Sequence, residues 1–409
     1  MRLRTLIVSS FAFLALAYPL VMGQKERLAS FMPFIKGIAR SFWMVESLLL
    51  ALFFFAASAA ARQRGIQYVC IVAASFFLAF AAAEMYFTVR PVGQRGLTCD
   101  SRDSVHVQSG QATHLYENIS RTPDPVLGYG PAAGGGIRVA SRCVYGKEVL
   151  YDVLYSRDEE GRRITPARGD KADTAILLLG CSCTVGEGVS DRETFAWQLG
   201  EMLGEKFQVF NYGFHGYGSH HMLALVESGR LDALVRRYKR TYAVFLTIAD
   251  HAERTAGHRP FHVGPRYILE NGALKHVGMF SHTLDKLFAH SRVYEQVRPA
   301  YYGGPGYDSA FNTHLAIVTK LMHELTARYQ AHALTVIYPD FVRFEPMLRA
   351  QGVRTLSLAG VMPDYTSAPE KYVLKVKVDV HPNALAHSRI AGALSEYILN
   401  AAQARGEQP

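Results

Sequence analysis

The stretch Ala175-Ile-Leu-Leu-Leu-Gly180-Cys181-Ser182-Cys183-Thr184-Val-Gly-Glu-Gly-Val189 decides how the rest of the chain is read. An apolar run closed by Gly180 and followed by small polar residues is the pattern of a strand buried on both faces of a parallel sheet. Such a strand delivers Ser182 to the carboxyl-terminal rim of the sheet, where open α/β sheets place their ligands. Ser182 is therefore a candidate nucleophile, and the next helix is expected to begin near Glu193.

Two other serine- or threonine-bearing loops are tested on the same residues. A phosphate-cradling P-loop ends in Gly-Lys-Ser/Thr, which is missing here. The α/β-hydrolase elbow is Gly-x-Ser-x-Gly, and its last position is Thr184. The stretch instead resembles block I of the SGNH (GDSL-like) hydrolases, in the variant Gly-x-Ser-x-Thr-x-Gly-x-Gly-Val followed by Glu-Thr-Phe, here Glu193-Thr194-Phe195. Where that family usually carries Asp before the serine, this chain has Cys181. Cys181 and Cys183 are read as small buried residues beside a strand end, with a thiol nucleophile as the alternative.

Outward from this stretch, strand and helix alternate. Strands are predicted at Ala175 to Leu179, Gln208 to Asn211, Ala243 to Ile248, Leu334 to Tyr338 and Thr355 to Leu358. Helices are predicted to begin near Glu193, His220, Ser309, Glu345 and Asn383. Five short apolar strands separated by helices argue an α/β domain with a parallel, doubly wound sheet. The resemblance makes it the flavodoxin-like SGNH fold. Residues 251–308 are too long for a plain connection. Within them Asn271-Gly272 marks a hairpin between Arg266–Glu270 and Ala273–Val277, and an insertion there could form a lid or one wall of a substrate groove.

Asp379-Val380-His381-Pro382-Asn383 precedes the predicted last helix. A serine hydroxyl needs a base to take its proton, and a carboxylate that orients an imidazole fixes the tautomer able to do so. SGNH proteins carry their Asp and His just before the final helix, so the resemblance makes Asp379 and His381 the partners of Ser182. The family spacing has two residues between them, and here only Val380 intervenes. Asn383 is a predicted N-cap.

Asn211-Tyr-Gly-Phe-His-Gly-Tyr-Gly218 resembles block II, which makes Gly216 an oxyanion donor beside the backbone N–H groups of Ser182 or Cys183. Gly213 and Gly218 are read as turn glycines with positive φ. Block III normally supplies an asparagine after the third strand. Here the chain reads Thr247-Ile-Ala-Asp250-His251-Ala-Glu-Arg254. An ionised Asp250 would repel an oxyanion, so His251 is the expected replacement donor, with Arg254 next; Asp250 is the reserve partner for His381.

The chain has 409 residues and 49% hydrophobic composition, unevenly spread. Thr5–Met22, Phe42–Ala61 and Ile66–Val89 are each long enough to cross a bilayer, which takes roughly 20 apolar residues. Glu46 and Glu84 lie near span ends, where a carboxylate can reach the interface. Met-Arg-Leu-Arg, a short apolar core and Ala15-Leu16-Ala17 also fit a cleaved signal peptide. Either version, with two or three spans, puts the C-terminal domain outside the cytoplasm. The arginines and lysines do not decide the orientation. Cys99 and Cys143 would suit a disulfide there, in an oxidising compartment. The expected organisation is a membrane anchor over 1–89, a β-rich juxtamembrane section or stalk over 90–172, and the catalytic domain over 173–409. A hairpin is predicted around Gly146-Lys147, with a second turn at Glu159–Arg163.

The sixteen histidines form no metal-binding motif, and no nucleotide fingerprint or nucleic-acid module is present, so neither metal, cofactor nor nucleic acid is expected. The net charge of +9 and the basic cluster Arg236–Arg240 suit a solvated face or contact with anionic headgroups or an acidic glycan. The resemblance implies a membrane-anchored serine esterase or O-acyltransferase acting on acetyl esters of an envelope or exported carbohydrate. The alternative is a glycan-binding or polysaccharide-assembly protein that keeps the fold without turnover, suggested by the absent block III asparagine and the shortened Asp–His spacing.

Overall fold

Five parallel strands carry the C-terminal part of the chain: β1 (Thr174–Leu179), β2 (Phe207–Asn211), β3 (Arg240–Thr247), β4 (His332–Ile337) and β5 (Thr355–Ser357). The computed structural model describes residues 42–89, 97–103, 122–132, 138–145, 147–257, 264–280, 291, 293–294 and 306–406. Across the sheet the order is β5-β4-β3-β1-β2, the flavodoxin-like 2-1-3-4-5 arrangement. Each predicted strand lies within two or three residues of its observed position.

The continuous apolar run of β1 serves two cores at once, because alternate residues face opposite sides. Ile176 and Leu178 pack with Phe195 and Leu199 of α1 (Phe195–Leu203) and with Ile390 and Leu394 of the closing helix Ala384–Ala404. Leu177 and Leu179 pack with Met222 and Leu223 of α2 (Ser219–Glu227) and with Ile317 and Leu321 of α3 (Gly306–Tyr329). Each such fully buried side chain contributes about 1.5–3 kcal/mol. With the closing helix as α4, two helices cover each face.

Helix starts follow local chemistry. Asp191–Glu193 forms a 3₁₀ turn behind a Ser190/Glu193 capping box, so α1 begins at Phe195 rather than Glu193. Thr194 Oγ1 caps α1 by accepting from the Trp197 N–H at 3.1 Å. Asn383 Oδ1 caps α4 by accepting from the Ala386 N–H at 3.1 Å. Loss of such a cap costs about 1 kcal/mol. Strand order reverses between β1 and β3, which opens a crevice at their carboxyl ends.

The chain divides into two compact units, residues 96–280 with 302–409, and residues 1–95 with 281–301. In the first, the hairpin Arg138–Tyr145 and Glu148–Ser156 takes Leu97–Asp103 as a third strand. Its register sets Cys99 opposite Cys143. Cys143 is disulfide-bonded, while Cys70, Cys181 and Cys183 are free. The second hairpin, Pro265–Glu270 with Ala273–Met279, turns at Asn271 (φ 51°) and Gly272 (φ 75°), the two positive φ values that a type I′ turn requires.

The other unit contains the helices Phe42–Ala60 and Arg64–Val89. Trp43–Ala60 and Arg64–Phe87 are long and apolar enough to cross a membrane, and only 22% and 17% of these windows is buried within the protein. The apolar segment Thr5–Met22 lies outside the described residues. Glu84 departs from the expectation of a carboxylate reaching for the interface. It is buried and accepts hydrogen bonds from the Ser291 hydroxyl and, at 3.1 Å, from the Val293 N–H.

Candidate active site

Ser182 opens a four-residue helical turn, Ser182–Val185, directly after β1. The N–H groups of Thr184 and Val185 both reach the Cys181 carbonyl at 2.9 Å, which fixes the turn. Asn211, at the end of β2, donates from Nδ2 to the Thr184 carbonyl and accepts from the Gly213 N–H, both at 2.9 Å. Arg163 clamps the loop that follows. Its guanidinium is buried, pairs with Asp191 at 2.8 Å, and donates to the carbonyls of Val185 (3.2 Å), Gly186 (2.7 Å) and Val189 (2.7 Å). The Tyr155 hydroxyl accepts from the Gly188 N–H at 2.8 Å, and the tyrosine ring lies under the same guanidinium at 4.2 Å. Arg163 and Tyr155 come from the section read as a β-rich juxtamembrane section or stalk; they are among the groups that hold the serine loop.

Asp379–Pro382 is a short strand paired with Val373–Lys375. On a strand, residues i and i+2 share a face, so Asp379 and His381 point the same way while Val380, 60% exposed, points outward. The one-residue spacing is thus the one a strand needs. His381 Nε2 lies 2.8 Å from Ser182 Oγ, and His381 Nδ1 lies 2.6 Å from Asp379 Oδ1 on the far side of the ring. The sheet order, the serine after β1 and the Asp-His strand before the last helix now stand together. This is the arrangement that the block I resemblance implies.

The site opens into a cleft of about 300 Å³ lined by Ser182, Cys183, Glu187, His215, Gly216, Ile248, Asp250, Arg254, Tyr338, Asp340, Tyr365, Val380 and His381. Glu187 was not singled out in the sequence. Its Oε2 lies 2.7 Å from His215 Nδ1 and 3.5 Å from His381 Nε2. Burial pushes the Glu187 carboxyl up, but the His381 and His215 imidazoles outweigh it and hold it down at about 2. Burial likewise opposes charge on His381, yet Glu187 and then Asp379 lift the imidazole to about 9. Asp340, also missed, is pushed up to about 6 by burial and by the Asp250 carboxylate.

Of the expected oxyanion donors, Ser182, Cys183 and Gly216 line the cleft, and so do the secondary candidates Asp250 and Arg254. His251 does not. It sits on the second turn residue of Asp250–Thr255, faces inward with no exposed surface, stacks on Phe245 at 5.6 Å and meets Thr247 Oγ1 at 3.5 Å. Arg254 reaches the cleft from the same segment as Asp250; its Nη1 donates to the Tyr217 carbonyl at 2.8 Å and its Nη2 is 3.5 Å from Asp250. The glycine expectations are corrected too. Gly216 has positive φ (76°), whereas Gly213 and Gly218 do not. Gly213 is small because a Cβ there would lie 2.5 Å from the Val185 N of the serine turn. Hydrogen bonding to Cys181 and burial push the Cys183 thiol well up, so it stays protonated and a poor nucleophile beside Ser182. Among the described residues no cluster of His, Cys, Asp or Glu could hold a metal ion.

No protein-family model and no curated protein matches the chain. Among solved structures it is similar to a G-D-S-L family lipolytic protein from Desulfitobacterium hafniense, at 11% identity and a TM-score of 0.33 over 54% of this chain and 98% of that one. It is also similar to an arylesterase from Agrobacterium tumefaciens (13% identity, TM-score 0.32, 56% and 99% covered). A carbohydrate acetylesterase from Sinorhizobium meliloti matches at 9% identity and a TM-score of 0.28, with 56% and 99% covered. At these levels the likeness itself decides nothing about activity.

Proposed function

We propose that the chain is a membrane-anchored SGNH-type serine esterase or O-acyltransferase that acts on acetyl esters of an envelope or exported polysaccharide. The observation that carries this reading is the Ser182–His381–Asp379 relay at 2.8 and 2.6 Å, open to the cleft. Ser182 Oγ attacks the ester carbonyl as its proton passes to His381 Nε2. Asp379, hydrogen-bonded at Nδ1, holds the ring in the tautomer that leaves Nε2 free to accept. Gly216 and the first N–H groups of the serine turn, which have no intrahelical acceptor, are the proposed donors to the oxyanion. The imidazolium then returns the proton to the departing sugar oxygen, leaving an acyl-enzyme. Water or a second sugar hydroxyl, deprotonated by the same imidazole, attacks that intermediate, so hydrolysis and transfer share every residue.

Asp250, Asp340, Tyr338 and Tyr365 around the cleft support a hydroxyl-rich substrate, since carboxylates accept sugar hydroxyls and aromatic faces cover sugar C–H groups. The Cys143 disulfide supports an oxidising compartment, and with the two apolar helices it favours a catalytic unit on the extracytoplasmic side of the inner membrane. Polysaccharide-assembly proteins are the expected neighbours. The test is labelling of the full-length protein by a fluorophosphonate, which requires an activated hydroxyl. Labelling that disappears in Ser182→Ala supports the esterase reading; well-folded wild-type protein that takes no label overturns it. Mass spectrometry of envelope glycans with and without the protein then reads the acetyl group.

A further inference from the structure

The mechanism above leaves Glu187 unused, although it faces the edge of His381 that Ser182 faces. Asp379 holds Nδ1 at 2.6 Å, and Glu187 Oε2 stands 3.5 Å from Nε2. The Glu187 side chain is only 19% exposed and is tied from behind by His215 Nδ1 at 2.7 Å. Its loop is held by Arg163 and Tyr155, so its position is built rather than a chance of a surface rotamer. We infer that Glu187 is a second carboxylate of the relay, a positioning residue that competes with Ser182 for the Nε2 proton and so sets the pH at which the serine is activated.

This inference rests on the esterase reading for its place in a reaction, but not for its physics. Facing His381 are Asp379 on its own strand, Glu187 and Cys181 on the serine loop, and His387 on α4. Facing Glu187 are His215 after β2, and Tyr151 and Tyr155 on the strand Glu148–Ser156. The two carboxylates outweigh burial and lift His381 to about 9, so at neutral pH the resting base already carries its proton. A general base must be unprotonated to work, and activity therefore rises with pH up to about 9. The same charge also stabilises the imidazolium formed when Ser182 hands over its proton. Removing it makes the base available at lower pH but weaker.

The experiment compares wild type, Glu187→Gln and Glu187→Asp, full length in detergent, using p-nitrophenyl acetate and the rate of fluorophosphonate labelling between pH 5 and 10. The expected result for Glu187→Gln is an ascending limb moved down by at least about one pH unit, which at an equal plateau would be about tenfold faster reaction well below both midpoints and is less by whatever the plateau falls. Its plateau at high pH is lower than that of wild type, so the two profiles cross. Glu187→Asp, with the charge withdrawn by one methylene, moves the limb the same way by less, and it carries the test if Glu187→Gln does not fold. An unmoved limb overturns the inference, whether or not the rate falls. If wild type shows no turnover and takes no label, the esterase reading fails by itself, and nitrogen NMR titration of the His381 ring then decides. A lower titration midpoint in Glu187→Gln upholds the Glu187 role, and an unchanged one overturns it.

Discussion

Ser182 and His381 meet at 2.8 Å, yet the loop that carries one and the strand that carries the other are built differently. Residues 181–186 are all buried, and side chains from three separate segments, Tyr155, Arg163 and Asn211, hydrogen-bond to the backbone of the serine turn and its loop. The histidine arm is a two-stranded ribbon, Val373–Lys375 with Asp379–Pro382, whose middle residue Val380 is exposed. The difference teaches that placement of the nucleophile is over-determined, while the base depends on the side chains that flank it, Asp379 and Glu187. Changes to the groups that hold the serine arm should therefore appear mainly as lost stability, and changes to those that flank the histidine as altered pH behaviour.

The largest expected effect is that of Ser182→Ala. Fluorophosphonate labelling should vanish and turnover should fall by about 10⁶-fold, while urea unfolding changes little. Labelling that persists would mean another nucleophile and would dissolve the comparison. Arg163→Met should next separate the arms, because it removes a donor to three carbonyls and the ion-pair partner of Asp191. Breaking a buried pair of this kind costs about 3–5 kcal/mol; a loss below about 1 kcal/mol in chemical denaturation would show that the serine loop holds without its clamp.

A smaller effect concerns pH and stability. His381 is raised from an ordinary value of about 6.5, so its contribution is full below that value and disappears as the pH climbs to about 9. Glu187 is lowered from about 4.3, so its contribution is full above that value and disappears as the pH falls towards about 2. Melting temperature should be flat between these windows and decline on the alkaline side, and Glu187→Gln should flatten that decline. The smallest effect is that of Val380→Ser, expected within about 0.5 kcal/mol of wild type because the side chain is mostly exposed. A larger loss would mean that the histidine arm is packed more tightly than its exposure indicates.

What the sequence made legible depended on whether a residue's partner was near in sequence or only in space. β1 was readable because burial on both faces leaves a continuous apolar run, and the α4 start because Asn383 caps it locally. Ser182, Asp379 and His381 were readable through short motifs. Arg163 was not, since a charged residue in a turn looks like solvent-facing polarity until the serine loop folds over it. Glu187 lay between two glycines of block I, and nothing local distinguishes a cleft carboxylate from a loop carboxylate. His251 follows β3 closely, but adjacency does not say which way a side chain points; the helical turn Asp250–Thr255 directs it into the core and sends Arg254 to the cleft. Gly213 shows the same limit, because its constraint is a neighbouring backbone atom rather than its own dihedral angles.

The hydrogen bonds from Ser291 and Val293 to Glu84 have a consequence for severing the polypeptide. Because 281–301 belongs with 1–95, the chain passes between the two units at 95/96, at 280/281 and again at 301/302. A protease that cuts once near residue 95 breaks one of three covalent links. The released fragment 1–95 is no longer covalently joined to 281–301, which stays with the rest of the chain, but Ser291 and Val293 of that segment still hold the helix Arg64–Val89 through Glu84. Limited digestion should thus yield two fragments on a denaturing gel that stay together in native detergent extracts, and Glu84→Ala should let them part.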